Sequence, residues 1–261
     1  MLGFSEQAHR WVKKLIQKVK RGYAKLSIVQ RNDAKKMNTN QHNSAIPQVK
    51  ICGLTRIDEA LQCALLGANA IGCVFYPKSP RNLSQQQAKE ICLALPPAVT
   101  TVGVFVNETF SRIMHTVKYC GLKAVQLHGQ ESPELVNRLY QENIMVIKAL
   151  FAESTPSLQE ASHYNASAYL VECGQGKLPG GNAMPWDWEK ASIIGRKYPL
   201  ILAGGLGPEN VGQAIAAGAP DAVDVSSGVE ASPGQKDLGK VAEFMKAVAR
   251  GGVDKNLTRI F

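Results

Sequence analysis

The 261-residue chain is predicted to be an α/β protein of the (β/α)8 TIM-barrel class with a basic N-terminal extension. Three observations carry that prediction. Short apolar runs begin near Val49, Ala70, Thr101, Ala124, Met145, Ala168, Leu200 and Ala222, at spacings of 21, 31, 23, 21, 23, 32 and 22 residues, and each interval has room for one helix. The runs lack polar alternation, as strands buried on both faces do. The last two end in small-residue turns, Ala203-Gly204-Gly205-Leu206-Gly207 and Ser226-Ser227-Gly228, that let backbone amides approach a ligand. Eight such units with right-handed crossovers close into a barrel; an open doubly wound sheet is the weaker alternative.

Composition sets the outer limits. Hydrophobic residues make up 45% of the chain, enough for one large core, and no 18-residue apolar stretch calls for a membrane. The six cysteines, Cys52, Cys63, Cys73, Cys92, Cys120 and Cys173, form no C-x-x-C pair. They read as reduced thiols in a cytoplasmic protein without a metal site. The net charge of +9 divides unevenly: residues 1–48 hold 10 Lys and Arg against 2 acids, which leaves 20 against 19 for residues 49–261. The basic character belongs to the extension, and a nearly neutral barrel gives no support for nucleic-acid binding.

Within the extension, Trp11, Val12, Leu15, Ile16 and Val19 recur at helical spacing among lysines, the pattern of a basic amphipathic helix that suits a targeting segment or an anionic surface. Residues 1–48 are nevertheless expected to be poorly ordered, with Met37 a candidate native start and residues 38–48 a linker. The barrel domain then runs from residue 49 to 261. Its helix starts are signalled by Thr55 with Asp58, Ser84 with Gln87, and Ser132 with Pro133-Glu134. Gly207 is expected as an N-cap with Pro208 as first helical residue, and the last helix spans about Leu238 to Ala249.

Active sites of such barrels lie at the carboxyl ends of the strands, so the residues there are the candidates. The first strand finishes Lys50-Ile51-Cys52-Gly53; a thiolate at Cys52 is suited to take a proton from carbon. After the second, Pro77 and Pro80 stiffen the loop that holds Arg81, a guanidinium fork suited to a carboxylate. The fourth finishes at His128, which alone reads as a hydrogen-bonded packing residue, and the fifth carries Lys148, placed either at the mouth or beside an acid. The sixth ends in Glu172, a general acid if its carboxyl is raised by a dry setting. A loop with Gly174, Gly176, Gly180 and Gly181 follows, and Trp186-Asp187-Trp188 begins the next helix. Asp224 is a third carboxylate at the mouth. Gly205, Gly207, Ser226, Ser227 and Gly228 form a nest for a phosphate dianion.

Laid out in order, Lys50-Ile51-Cys52-Gly53, Ser79-Pro80-Arg81, residues 103–107 (Gly-Val-Phe-Val-Asn), Val125-Gln126-Leu127-His128-Gly129, Leu202-Ala203-Gly204-Gly205-Leu206 and Asp224-Val225-Ser226-Ser227-Gly228-Val229-Glu230 resemble the phosphoribosylanthranilate isomerase family over the whole barrel. The resemblance implies a cofactor-free and metal-free Amadori rearrangement of a small phosphosugar. In it the acid ending strand six opens the ribose to a Schiff base and the cysteine ending strand one removes the C2 proton. It implies Cys52 as base, Arg81 on the anthranilate carboxylate, His128 and Asp224 among the substrate-binding residues, and the phosphate on the amides around Gly205 and Ser227-Gly228. The family usually has Asp where this chain has Glu172, which keeps the chemistry and changes the reach. A related phosphosugar isomerase and a non-catalytic phosphate-binding module are the competing readings. A monomer or homodimer is expected.

Overall fold

The computed structural model describes residues 45–175 and 186–261, together with the single helical residue Gln17. The expectations for the extension before Ala45, other than Gln17, and for Gly176, Gly180 and Gly181 lie outside the described residues. The elements run β1 (Gln48–Cys52), α1 (Ile57–Leu65), β2 (Ala70–Phe75), α2 (Gln85–Ala94), β3 (Thr100–Phe105), α3 (Phe110–Cys120), β4 (Ala124–Leu127), α4 (Pro133–Gln141) and β5 (Met145–Phe151). A 3-10 turn (Leu158–His163) leads to β6 (Ala168–Glu172), and a second (Trp188–Ala191) with α5 (Ser192–Gly195) leads to β7 (Leu200–Leu202). Then come α6 (Val211–Gly218), β8 (Ala222–Val225), a short 3-10 turn, the hairpin β9 (Glu230–Ser232) and β10 (Gln235–Lys236), and α7 (Leu238–Arg250).

The first eight strands form a closed, all-parallel barrel. Closure is made by β1 against β8, with Lys50 opposite Asp224 and Ile51 opposite Val225. Alternate residues divide between two cores. Val102, Ile147, Leu170 and Ile201 fill the barrel, while Ile51, Ile71, Val125, Val171 and Val223 pack outward against helix residues such as Ile91, Ile113, Ile215 and Phe244. The far end of the barrel is sealed by the chain terminus. Gln48 donates to Phe261 O at 2.7 Å and accepts from Ile260 N, so Ile260 and Phe261 lie against the inner core.

The crossover from β5 to β6 departs from the expected one-helix pattern. Between β5 and β6, Pro156 and the Tyr164-Asn165 stretch leave only Leu158–His163 for helix, and it tightens to 3-10. Its end is capped by the hydroxyl of Tyr169, which donates to Ala161 O and Tyr164 O. Capping was legible at Ser84, which forms a full capping box with Gln87, and at Ser132 before Pro133. It was not at Thr55, whose hydroxyl donates to Gly234 O in the hairpin, so Arg56 becomes the N-cap of α1. Gly207 does not cap α6 either. Asn210 accepts from Gly207 N and donates to Gly205 O, both at 2.8 Å, which holds Pro208–Asn210 as a turn and delays the helix to Val211.

Asp221 fastens the closing strands to the terminal segment: it accepts from Leu200 N at 2.8 Å and Thr258 N at 2.9 Å, and Lys255 lies 3.2 Å away. Asp221→Ala strands the buried Leu200 N–H and the part-buried Thr258 N–H and is expected to lower stability by about 2–4 kcal/mol. Asp221→Asn, which keeps an acceptor, is expected to lose less; urea unfolding of the two variants checks the order.

Candidate active site

The carboxyl end of β1 brings two polar side chains to one face, because residues two apart in a strand point the same way. Lys50 is fully buried and donates to Asp224 Oδ1 at 2.8 Å. Burial works against its charge, yet Asp224 and the neighbouring Cys52 raise it above the ordinary lysine value. One layer nearer the mouth, burial pushes the Cys52 thiol up; the Lys50 ammonium opposes that push, Asp224 adds to it, and Lys236 opposes it from further off. Room for the sulfur comes from Gly72 on β2, where a Cβ would stand 2.7 Å from Sγ. Asp224 is therefore half committed: its Oδ1 accepts from Lys50, while its Oδ2 takes no donor among the described residues.

Arg81 is buried, not waving. Gly53, at φ +76°, leaves space that a Cβ would take from Arg81 Cδ. Its Nε and Nη2 form a fork on Glu230 at 2.8 and 2.7 Å, while Nη1 takes no acceptor among the described residues. Glu230 also accepts from Lys236 Nζ at 2.7 Å, and Lys236 donates to Ser226 O. Burial opposes the charge on Glu230, but these two cations hold its carboxyl below the ordinary glutamate value. Two buried cations thus share one carboxylate, and the excess positive charge suits an incoming anion.

Across the mouth, Glu172 ends β6, and its Oε1 lies 3.1 Å from His128 Nε2. Gln126, two residues before His128 on β4, meets Nδ1 at 2.9 Å. Phe151 stands edge-on to the imidazole with ring centroids 5.8 Å apart. His128 therefore reaches the site as the partner of Glu172.

The two glycine turns are in contact. A Cβ on Gly228 would stand 1.9 Å from Leu206 O, and one on Gly204 would stand 3.0 Å from Glu172 Cβ. Ser226 Oγ donates to Cys52 O at 3.1 Å. Among the described residues the amides of Gly205, Ser227 and Gly228 take no acceptor. The Gly207 amide is already taken by Asn210 and the Ser226 hydroxyl by Cys52, so those two build the nest and do not line it. Trp186 Nε1 donates to Ala203 O at 2.9 Å, which lands the returning loop beside the Gly204-Gly205 pair. A groove of about 700 Å³ opens beside Ser227 and Gly228, walled in part by Lys240, Lys246 and Arg250.

Lys148 belongs elsewhere. It is fully buried, donates to Gly129 O and pairs with Glu131 at 2.9 Å, which takes it out of the mouth. Lys50, Gln126, Glu230 and Lys236 were missed by sequence reasoning. The first two carried a signal, a polar residue two positions before a candidate in an otherwise apolar strand. All six cysteines are free thiols, and burial pushes Cys63 up to about 12. No cluster of three His, Cys, Asp or Glu side chains suited to a metal ion occurs among the described residues, and no described helix is long and apolar enough to cross a membrane.

Comparison with known proteins gives one answer by three routes. The family model described as N-(5'-phosphoribosyl)anthranilate (PRA) isomerase matches residues 49–247. The N-(5'-phosphoribosyl)anthranilate isomerase of Desulfatibacillum aliphaticivorans is 52% identical over 214 residues, covering 82% of this chain and 98% of the relative. The crystal structure of phosphoribosyl anthranilate isomerase from Thermotoga maritima superposes with a TM-score of 0.72 at 42% identity, over 78% of this chain and 100% of that one. A structure of the enzyme with reduced 1-(O-carboxyphenylamino)-1-deoxyribulose 5-phosphate superposes with a TM-score of 0.69 at 42% identity, over the same shares.

The charges around Cys52 make opposite predictions for two substitutions. Because Lys50 holds the thiol down and Asp224 holds it up, Lys50→Met is expected to move Cys52 ionisation to higher pH and Asp224→Asn to lower pH. The pH dependence of Cys52 alkylation by iodoacetamide, followed on its peptide by mass spectrometry, checks both signs.

Proposed function

The chain belongs to the N-(5'-phosphoribosyl)anthranilate isomerase family, and on that premise we propose that Cys52 and Glu172 are the base and acid of its reaction. The enzyme converts N-(5'-phosphoribosyl)anthranilate to 1-(2-carboxyphenylamino)-1-deoxyribulose 5-phosphate, an Amadori rearrangement in tryptophan biosynthesis. In this reading the phosphate binds to the amides of Gly205, Ser227 and Gly228, where fixed N–H dipoles suit a dianion. The anthranilate carboxylate takes Nη1 of Arg81, whose other edge is anchored by Glu230. Glu172 protonates the ribose ring oxygen, and the C1–O bond opens to a Schiff base. Cys52 then removes the C2 proton, and the enolamine relaxes to the ketone.

Burial makes Cys52 a minority thiolate at neutral pH and a stronger base once formed. The observation that carries the reading is a path of contacts. Cys52 O accepts from Ser226, whose turn touches Leu206 through Gly228, and Gly204 lies against Glu172. A sugar whose phosphate sits on those turns is flanked by thiol and carboxyl alike. The substrate is the small-molecule partner. Absence of a nucleic-acid partner, a monomer or homodimer, and a cytoplasmic location in keeping with the free thiols complete the reading.

Loss of anthranilate fluorescence on adding purified protein to its substrate measures turnover. Cys52→Ala and Glu172→Gln are each expected to lose about 10²-fold or more in kcat with circular dichroism unchanged. A Glu172→Gln protein with near-native turnover would remove the acid assignment, and tight binding without turnover in the parent protein would favour a binding module.

A further inference from the structure

Glu172 carries one more rotatable bond than an aspartate would, so its carboxyl has further to wander, and a misplacement of about 1 Å can cost on the order of 10²-fold in rate. The barrel answers with a chain of buried groups. Gln126 is 1% exposed and lies 2.9 Å from Nδ1 of His128; Nε2 of that imidazole lies 3.1 Å from Glu172 Oε1. Both contacts fall inside the barrel mouth, and Phe151 fixes the ring from its edge.

A neutral imidazole donates from one nitrogen and accepts at the other, and what faces each nitrogen decides which. If Nδ1 carried the hydrogen, the Nε2 lone pair would face Glu172 and bind the very proton the acid must give away. If Nε2 carries it, that N–H holds Oε1 and supports the carboxylate left after proton transfer. The transferable proton then rides on Oε2, which takes no donor among the described residues. Such a tautomer needs a donor at Nδ1, and the amide nitrogen of Gln126 supplies one. The other end of that amide, Oε1, is buried without a partner among the described residues, so no second contact competes with the one to Nδ1.

We propose that Gln126 and His128 are positioning residues for the proton donor: Gln126 fixes His128 as the Nε2–H tautomer, and His128 clamps Oε1 of Glu172 so that Oε2 presents its proton to the sugar ring oxygen. The proposal rests on Glu172 as the general acid, and it assigns His128 to the acid and not to the substrate.

The test pairs nitrogen-15 NMR of histidine-labelled protein with steady-state kinetics. In the parent protein His128 is expected to be neutral with its hydrogen on Nε2. Gln126→Glu places an acceptor at Nδ1 and is expected to draw the hydrogen there, with kcat falling about 10²-fold and KM within about twofold. Gln126→Leu, which adds no buried charge, is expected to mix the tautomers and lower kcat less. His128→Gln returns an amide donor near the Nε2 position and is expected to keep kcat within about tenfold of the parent, whereas His128→Ala loses about 10²-fold. An Nδ1–H tautomer in the parent protein overturns the proposal. So does a Gln126 variant that shifts the tautomer with kcat unchanged, provided Glu172→Gln is inactive. Near-native turnover in Glu172→Gln instead brings down the acid reading on which the proposal stands.

Discussion

Everything at the mouth depends on the register in which β1 meets β8. Lys50 opposite Asp224 closes the barrel with a buried ion pair, and the next layer up holds Cys52 on one strand and Ser226 on the other. A slip of one residue would turn Lys50 and Cys52 outward among Ile51, Ile71 and Val223. That register is guarded at both ends. At the far end Gln48 is tied to the last two residues, and at the near end the Ser226 hydroxyl is tied to the Cys52 carbonyl. Stability and chemistry therefore draw on the same ladder.

Charge is distributed so that each buried ion is answered, with one positive excess left at the mouth. Lys50 has Asp224 and Lys148 has Glu131, but Arg81 and Lys236 share Glu230. Breaking any one of these pairs strands an ion in a dry setting, which is costly, whereas an anionic ligand beside Arg81 completes the balance. The same arrangement explains why a small hairpin follows β8. β9 and β10 carry Glu230 and Lys236 over the mouth, and Thr55 clasps the hairpin at Gly234.

The strands were legible because parallel barrel strands are apolar on both faces and are punctuated by turns. All eight begin within one residue of where the apolar runs begin. Cys52, His128, Glu172 and the glycine turns could be singled out because each ends a strand or follows it directly, and Arg81 because prolines hold the loop after β2. Their partners could not, since a parallel barrel joins residues far apart in sequence: Lys50 with Asp224, Arg81 with Glu230, His128 with Glu172. Helix boundaries failed where a side chain had a tertiary use that outweighed its local one. Thr55 serves the hairpin instead of α1, and Asn210 serves the Gly205-Leu206-Gly207 turn before it lets α6 begin.

The central claim is that the closing register surrounds one sugar with a thiol on one side and a carboxyl on the other. A crystal structure of this chain with reduced 1-(2-carboxyphenylamino)-1-deoxyribulose 5-phosphate tests it most directly. The account predicts the phosphate on the Gly205, Ser227 and Gly228 amides, Cys52 Sγ about 3–3.5 Å from C2, and a Glu172 carboxyl oxygen within hydrogen-bond reach of the former ring oxygen. A ligand bound with C2 turned away from Cys52, or with its phosphate off those turns, would contradict it.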